Sequence, residues 1–502
     1  MTKFINTILR DLGLFLHVPA IMAIISAIVC IFCGEYYAII PFIVTAIAAL
    51  GIGQLLYRFC RNGEESQIRH SMITVALAWG IIPLLGSIPF ILIANHVANF
   101  VDASSSILAF QNPLNSILEA FSGFTSAGLS VALKASELPQ SLQWWRSFMQ
   151  WVGGVGVIVL VISLLEPSTD AYQLYSAEGR KKTIGLTLKS TVRSIWWIYL
   201  LYTLASIILL RIVGMPWWDA LNHGMTGIST GGFSIKDESI GSYTPAIQSA
   251  VIPIMILGAI SFSVHYQLLR KGRLSALWRS NEHRFLLILL VVGTGLLLYF
   301  NYSQTKAFLW LDSIFQWASA LGTCGYNTVN IKLWSQSSKL LLSLAMIVGG
   351  ASGSTVGGLK LNRLLYLCKA VVWRFKRISL QPHQMMRYEL EHEVIVEVEA
   401  TRKIEAAAIL AFLWMITLTV GIFLLLEVVT EDYNLTDVIF EAASALGSVG
   451  LSTGITHPNL HWLGKLVLII FMWMGRLEII PVLLLFSTVT NMILKKVLGF
   501  KF

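Results

Sequence analysis

Long apolar runs, broken by short polar and glycine-rich stretches, make up most of the chain. A helix crosses a bilayer with about 20 mostly apolar residues. Runs that meet this fall at 11–33, 38–57, 72–95, 144–165, 195–214, 246–269, 284–300, 339–369, 404–427 and 461–494, the eighth interrupted by glycines. Between them lie four stretches, 112–132, 216–236, 309–331 and 435–455, too long for tight turns and too apolar for open loops. Each opens with about eleven helix-like residues, too few to span, and closes in small polar residues and glycine. Half-helices survive at membrane depth only when buried in protein or lining a water-filled path.

One glycine register superimposes the four stretches: Gly128, Gly232, Gly325 and Gly450. Thirteen residues earlier stand Asn115, Asp219, Asp312 and Asp437; six earlier, Ser122, Thr226, Ser319 and Ser444; two earlier, Ser126, Thr230, Thr323 and Ser448. No gap is needed within the segments, and the glycines are 104, 93 and 125 residues apart. Asp or Asn at the start of each short helix is expected to cap its orphan N–H groups. The helix then points its negative end at the glycine loop, which favours a cation there. Glycine lets backbone carbonyls approach closely, and four such loops about one axis would form a carbonyl ring able to replace an ion's hydration shell. The fold class expected is an all-α polytopic membrane protein. It has ten transmembrane helices plus four re-entrant pore half-helices, arranged as four membrane–pore–membrane repeats around a pseudo-fourfold pore. The units are two accessory helices (1–70) and repeats at 71–190, 191–282, 283–403 and 404–502.

Composition narrows the class. Of 502 residues 56% are hydrophobic and 13% charged, against roughly 25% charged in soluble domains, which excludes a cytosolic enzyme or a disordered chain. Five cysteines form no disulfide framework, and Cys30 and Cys33 share one helix face as packing residues. The N-terminal run is too long for a signal-peptide core and reads as a retained helix. The net charge of +9 is distributed by topology: 27 of the 36 Lys and Arg fall on one side of a ten-span arrangement. That side, with both termini, is expected to be cytoplasmic, so the charge is no nucleic-acid footprint. Thirteen of the 27 acids fall on the outer side, which favours cations at an entrance. The segment 372–403 is either a solvated loop or a docking surface for a soluble partner.

The motifs Phe121-Ser-Gly-Phe-Thr-Ser-Ala-Gly-Leu-Ser130, Gly227-Ile-Ser-Thr-Gly-Gly-Phe-Ser234, Gly322-Thr-Cys-Gly-Tyr-Asn327 and Leu446-Gly-Ser-Val-Gly-Leu-Ser452, with Trp145–Gly156 and Met474-Gly-Arg-Leu-Glu478, carry a family resemblance. The chain resembles the TrkH-type membrane subunits of the Trk/Ktr/HKT potassium transporters over nearly its whole length. The resemblance implies potassium uptake across the cytoplasmic (inner) membrane, a homodimer with one pore per subunit, and a cytosolic nucleotide-binding RCK-type (TrkA-like) partner. It implies a filter of Gly128, Gly232, Gly325 and Gly450 with the carbonyls of Ser126, Ala127, Thr230, Gly231, Thr323, Cys324, Ser448 and Val449 holding potassium. A serine at the first-repeat glycine is associated with sodium in that family, so Gly128 argues for potassium. Cys324 is a candidate target for thiol reagents.

Two further features lie within spans. Gly349-Gly-Ala-Ser-Gly-Ser-Thr-Val-Gly-Gly358 cannot hold a helix, each glycine costing roughly 1 kcal/mol relative to alanine. It reads as an unwound segment below the filter, and the resemblance makes it a gate of Gly349, Gly350, Ser352, Gly353, Ser354, Thr355, Gly357 and Gly358. Arg476 is the one basic residue expected deep in a span, where charge is costly and functional. It reads either as half of an ion pair or as an electrostatic barrier to cations beside the gate. No P-loop, catalytic triad or metal-ligand cluster is evident, so no enzyme and no bound cofactor is expected. Potassium is the substrate, and lipid surrounds the chain. The alternative is a secondary transporter of another cation or small solute built on broken helices, which would show two halves rather than four repeats.

Overall fold

In the computed structural model the described residues are 2–62, 67–99, 104–156, 188–272, 275–381, 386–390 and 393–498. Nearly all regular structure among them is helical. Six stretches are long and apolar enough to cross a membrane: Lys3–Cys33, Tyr36–Phe59, Ile68–Val97, Ser190–Ile212, Asn281–Gln304 and Glu397–Leu426. They coincide with six of the expected runs. Ile47, Val291, Phe412 and Phe423 stand exposed on these helices, an inverted surface that suits hydrocarbon rather than water.

Two expected spans are not straight. The run 246–269 divides into Pro245–Ala259 and Phe262–Arg270, bent by 107°, and the run 461–494 into Trp462–Arg476 and Ile480–Met492, bent by 115°. Hydropathy measures apolar content and is blind to direction. At the first bend the Ser261 amide donates to His283 Nε2 at 3.2 Å. At the second, Glu478 and Ile479 take φ of 57° and 69°, a left-handed turn that ends the helix. The interrupted run 339–369 forms Gln336–Val348 and Leu361–Ser379 around the glycine segment. The run 144–165 begins as Gln140–Val155. Its residues 157–165, and the basic residues of 180–187, lie outside the described residues.

Each glycine motif is preceded by a helix of twelve residues: Pro113–Phe124, Trp217–Ile228, Trp310–Leu321 and Leu435–Leu446. Each ends four residues before its glycine and is largely buried. The helix that follows packs on its own short helix and on that of the next repeat. Thus Gln140–Val155 lies against Trp217–Ile228, Pro245–Ala259 against Trp310–Leu321, Gln336–Val348 against Leu435–Leu446, and Trp462–Arg476 against Pro113–Phe124. The fourth contact closes the circle.

Asn115, Asp219, Asp312 and Asp437 are not the cap residues. They occupy the third helical position, and the caps are Asn112, Pro216, Leu309 and Asn434. Only Asn434 and Asp437 form the reciprocal capping box, in which the third-position side chain returns to the cap amide. Asp437 also binds Lys339 at 2.6 Å, a buried pair joining two repeats.

The N-terminal helices lean on the ring. Glu35 accepts the amides of Gln140 and Ser141 at 2.8 and 2.9 Å, capping a helix 105 residues away in sequence. Cys30 is buried and Cys33 half-buried, both as free thiols, and among the described residues no group of three or more His, Cys, Asp or Glu could hold a metal. The segment 372–403 is more ordered than a solvated loop. Its strands Tyr388–Leu390 and Glu393–Ile395 pair antiparallel, and Tyr388 meets Trp373 edge-on at 5.1 Å.

Asp437→Ala strands the buried Lys339 ammonium. It is expected to cost about 3–5 kcal/mol, read as a lowered thermal midpoint of the detergent-solubilised protein. Replacing both residues with leucine should recover most of the loss.

Candidate functional site

The four loops repeat one backbone course. The residue two before each glycine is left-handed, with φ of 55° at Ser126, 50° at Thr230, 43° at Thr323 and 51° at Ser448. Its amide returns to the carbonyl five residues before the glycine, and the next amide to the carbonyl six before, at 2.8–3.2 Å in all four loops. These bonds satisfy orphan carbonyls of the helix end. They spend the loop amides on the helix and leave the carbonyls of the same residues facing elsewhere. Side chains rarely adopt such φ values without a cost of order 1–3 kcal/mol, so four in register mark a site that its surroundings hold in place.

The glycines then meet. A Cβ on Gly128 would lie closer than 3.0 Å to the Gly231 oxygen, one on Gly232 to that of Cys324, one on Gly325 to that of Val449, and one on Gly450 to that of Ala127. Each glycine therefore faces the penultimate carbonyl of the next repeat, and the fourth returns to the first. Gly128, Gly232, Gly325 and Gly450 have φ of 82°, 81°, 85° and 99°, the region that favours glycine. The expected set of Ser126, Ala127, Gly128, Thr230, Gly231, Gly232, Thr323, Cys324, Gly325, Ser448, Val449 and Gly450 is thus one contiguous ring of backbone. The Cys324 side chain is fully buried, with Sγ 3.9 Å from the Gly227 oxygen, so it is no accessible target for thiol reagents.

The glycine segment lies against one end of the ring. Its neck is closed, Leu359 N donating to Ile347 O at 2.9 Å and Lys360 N to Val348 O at 3.0 Å. Gly349 and Gly358 touch at that neck. Inside it, the Gly357 amide donates to Thr323 Oγ1 at 2.9 Å, and Thr355 Oγ1 donates to Ile228 O and Gly258 O at 3.2 and 3.0 Å. Glu282 holds the loop from outside, accepting the amides of Ser352 and Asn362 at 2.6 and 3.2 Å. The Arg476 guanidinium completes the floor. It donates to Thr355 O, Gly153 O and Gly154 O and lies 5.1 Å from the Trp79 ring centroid. Glu478, two residues on, binds Arg363 and Lys360 instead. A cavity lined by Gly353, Ser354, Gly357, Lys360, Arg476 and Glu478 opens beside the loop.

Residues 39–494 match the TrkH family of cation transport proteins. The chain belongs to that family. It is 33% identical to an uncharacterised cation transporter of Methanocaldococcus jannaschii, with 98% of both chains covered. It is 28% identical to the Trk system potassium uptake protein TrkH of Escherichia coli K12, over 94% of this chain and 99% of that one. The crystal structure of the potassium transporter TrkH from Vibrio parahaemolyticus shares its fold, with a TM-score of 0.79 and 25% identity over 96% of this chain and 98% of that one. The family is one of transporters, not enzymes, and this member is a helical, multi-pass membrane protein.

Sequence reasoning missed a fifth column in this TrkH-family chain. Nine residues before each glycine stand Glu119, His223, Gln316 and Glu441. Each bonds the segment beyond its glycine: Glu119 to Ser130 at 2.9 Å, His223 to Ser234 at 2.9 Å, Gln316 to Thr328 at 3.4 Å and Glu441 to Ser452 at 2.8 Å. The column lies inside the glycine register and was there to be found, since each is a polar residue within a short apolar helix. Arg146 was missed too. It binds Glu119 at 2.7 Å, donates to Ser234 O at 3.0 Å and stacks on Phe233 at 4.1 Å, tying repeat 1 to repeat 2.

Gly325→Ala drives a methyl into the Val449 carbonyl. It is expected to remove cation uptake, by at least tenfold at a cost above about 1.4 kcal/mol, while membrane insertion and the size-exclusion profile stay as in the parent protein.

Proposed function

We propose that this chain carries potassium into the cell across the cytoplasmic membrane through the ring of backbone carbonyls. The single observation behind this reading is the closed circle in which each loop's glycine faces the next loop's carbonyl. Such a ring offers a dehydrated cation neutral oxygens backed by four negative helix ends, and offers an organic solute neither space nor side-chain partners. The relatives named as potassium uptake proteins support the choice of ion.

In this reading the chain crosses the membrane ten times, both termini are cytoplasmic, and the units are 1–70, 71–190, 191–282, 283–403 and 404–502. Ser126, Ala127, Thr230, Gly231, Thr323, Cys324, Ser448 and Val449 supply the carbonyls. The loop 349–358 is the gate, with Arg476 as a positive charge beneath the filter. The chain works as a homodimer with a cytosolic nucleotide-binding subunit. The folded segment around Tyr388–Ile395 on the cytoplasmic side suits such a partner. Gating by the loop is a local matter of exchange: moving it frees the Thr323 hydroxyl from Gly357 and withdraws Thr355 from the ring.

The decisive test is growth at low potassium, with uptake of labelled rubidium, in a host strain lacking its own potassium uptake. Rescue is expected with this chain plus a cytosolic partner, and no rescue with verified membrane expression would sink the reading. Deleting 351–356 removes the loop beyond the neck at which Gly349 and Gly358 touch and is expected to raise basal flux; unchanged flux in a folded deletion would remove the gate assignment. Arg476→Ala should raise flux at equal expression if the charge is a barrier, whereas loss of folded protein would make it structural. Gly128→Ser places a side chain against the Gly231 oxygen and is expected to admit sodium, measured as the sodium-to-rubidium uptake ratio.

A further inference from the structure

The four loops differ at the residue just before the glycine. Ala127, Cys324 and Val449 each bury a side chain there, fully shielded. Gly231 has none. The space is taken by Gln150, which comes from the second helix of repeat 1 and is itself fully buried. Its Nε2 donates to Gly231 O at 2.5 Å and its Oε1 accepts the Phe233 amide at 2.9 Å. One side-chain amide thus uses donor and acceptor at once and straddles Gly232. Its backbone carbonyl also accepts Ser126 Oγ at 3.1 Å, so the same residue grips the loops of repeats 1 and 2. In the register of Gly153, Gly258, Gly349 and Gly475, the corresponding positions in the other repeats carry Met255, Met346 and Met472, and a thioether has no proton to donate to a loop carbonyl.

We propose that Gln150 is a specificity-determining positioning residue of the filter. It acts as a surrogate for the missing side chain of Gly231, holding the Gly231 carbonyl in the ring and weakening it as an ion ligand. This rests on the reading of the ring as a potassium filter. The physical reason is local freedom. Two consecutive glycines would leave this loop the least restrained of the four, and a carbonyl free to move inward would close on a smaller ion. The bond from Nε2 opposes that movement and draws electron density from the same oxygen. Gly231 and Gln150 are complementary, since a Cβ on Gly231 would lie closer than 3.0 Å to the Gln150 amide. The φ of Gly231 is not positive, so alanine fits the backbone there once the amide is gone.

The test is the rubidium-to-sodium uptake ratio in proteoliposomes of the full chain, with folding followed by thermal midpoint and size exclusion. Gln150→Leu and Gln150→Met are expected to stay folded and conduct while the ratio falls roughly five- to tenfold, the scale of one or two neutral hydrogen bonds. Ser147→Ala, on the same helix, should leave it unchanged. Gly231→Ala alone should impair both folding and uptake, and Gln150→Ala with Gly231→Ala should recover the ratio beyond Gln150→Ala alone. A folded, conducting Gln150→Leu with the parent ratio overturns the proposal, as does a double variant no better than Gln150→Ala. If the parent protein itself takes up no rubidium, the potassium reading fails, an outcome distinct from these.

Discussion

Everything in this protein depends on four places where one backbone lies directly against another. At Gly128, Gly232, Gly325 and Gly450 the absent side chain is replaced by a carbonyl of the next repeat, and no other residue type allows that approach. The ring is closed by exclusion of side chains rather than by attraction between them. It therefore has to be held from behind. Short helices of equal length, each ending four residues before its glycine, supply the same platform four times, and the following helices lock each platform to its neighbour.

The holding is polar, and it falls to a few buried side chains. Glu119 and Glu441 draw the segments beyond the glycines back onto the short helices, and His223 and Gln316 do so in the other two repeats. Arg146, Lys339 and Tyr326 join one repeat to another: Tyr326 donates to His223 O at 3.1 Å, and Lys339 reaches Asp437. In a medium where an unpaired polar group is costly, such pairs confine the loops to one geometry more firmly than apolar packing would. They also make the ring unequal, because repeats 2 and 3 use histidine and glutamine where repeats 1 and 4 use glutamate.

Beside the glycine segment the chain turns from regular to irregular. The helices after the loops end at Ala259, Val348 and Arg476, and the described part of the first ends at Val155. Two of these ends are tied to the glycine segment, which continues from the third: Phe262 N donates to Gly353 O, Ala351 N to Ala259 O, and the Arg476 guanidinium to Thr355 O. The segment is thereby tied to the ring through Thr323 and to the bends of two neighbouring repeats.

The sequence by itself determined the membrane class, the four glycines and their register, the length of the short helices, and the break at 349–358. These are local properties, set by hydropathy over a window and by residues whose backbone freedom is their own. Family membership also followed from motifs contiguous in sequence. The tertiary structure alone decided what depends on residues far apart: the bends at 260–261 and 477–479, the third-position role of Asp219 and Asp312, the order in which glycine meets carbonyl, the partners of Arg476, and the grip of Gln150 on a loop 81 residues away. Apolar content does not encode direction, and a hydrogen bond between distant segments has no periodic signature along the chain. The ring was legible because it is repeated, and braces such as Arg146 and Gln150 were hidden because they occur in one repeat and act on another.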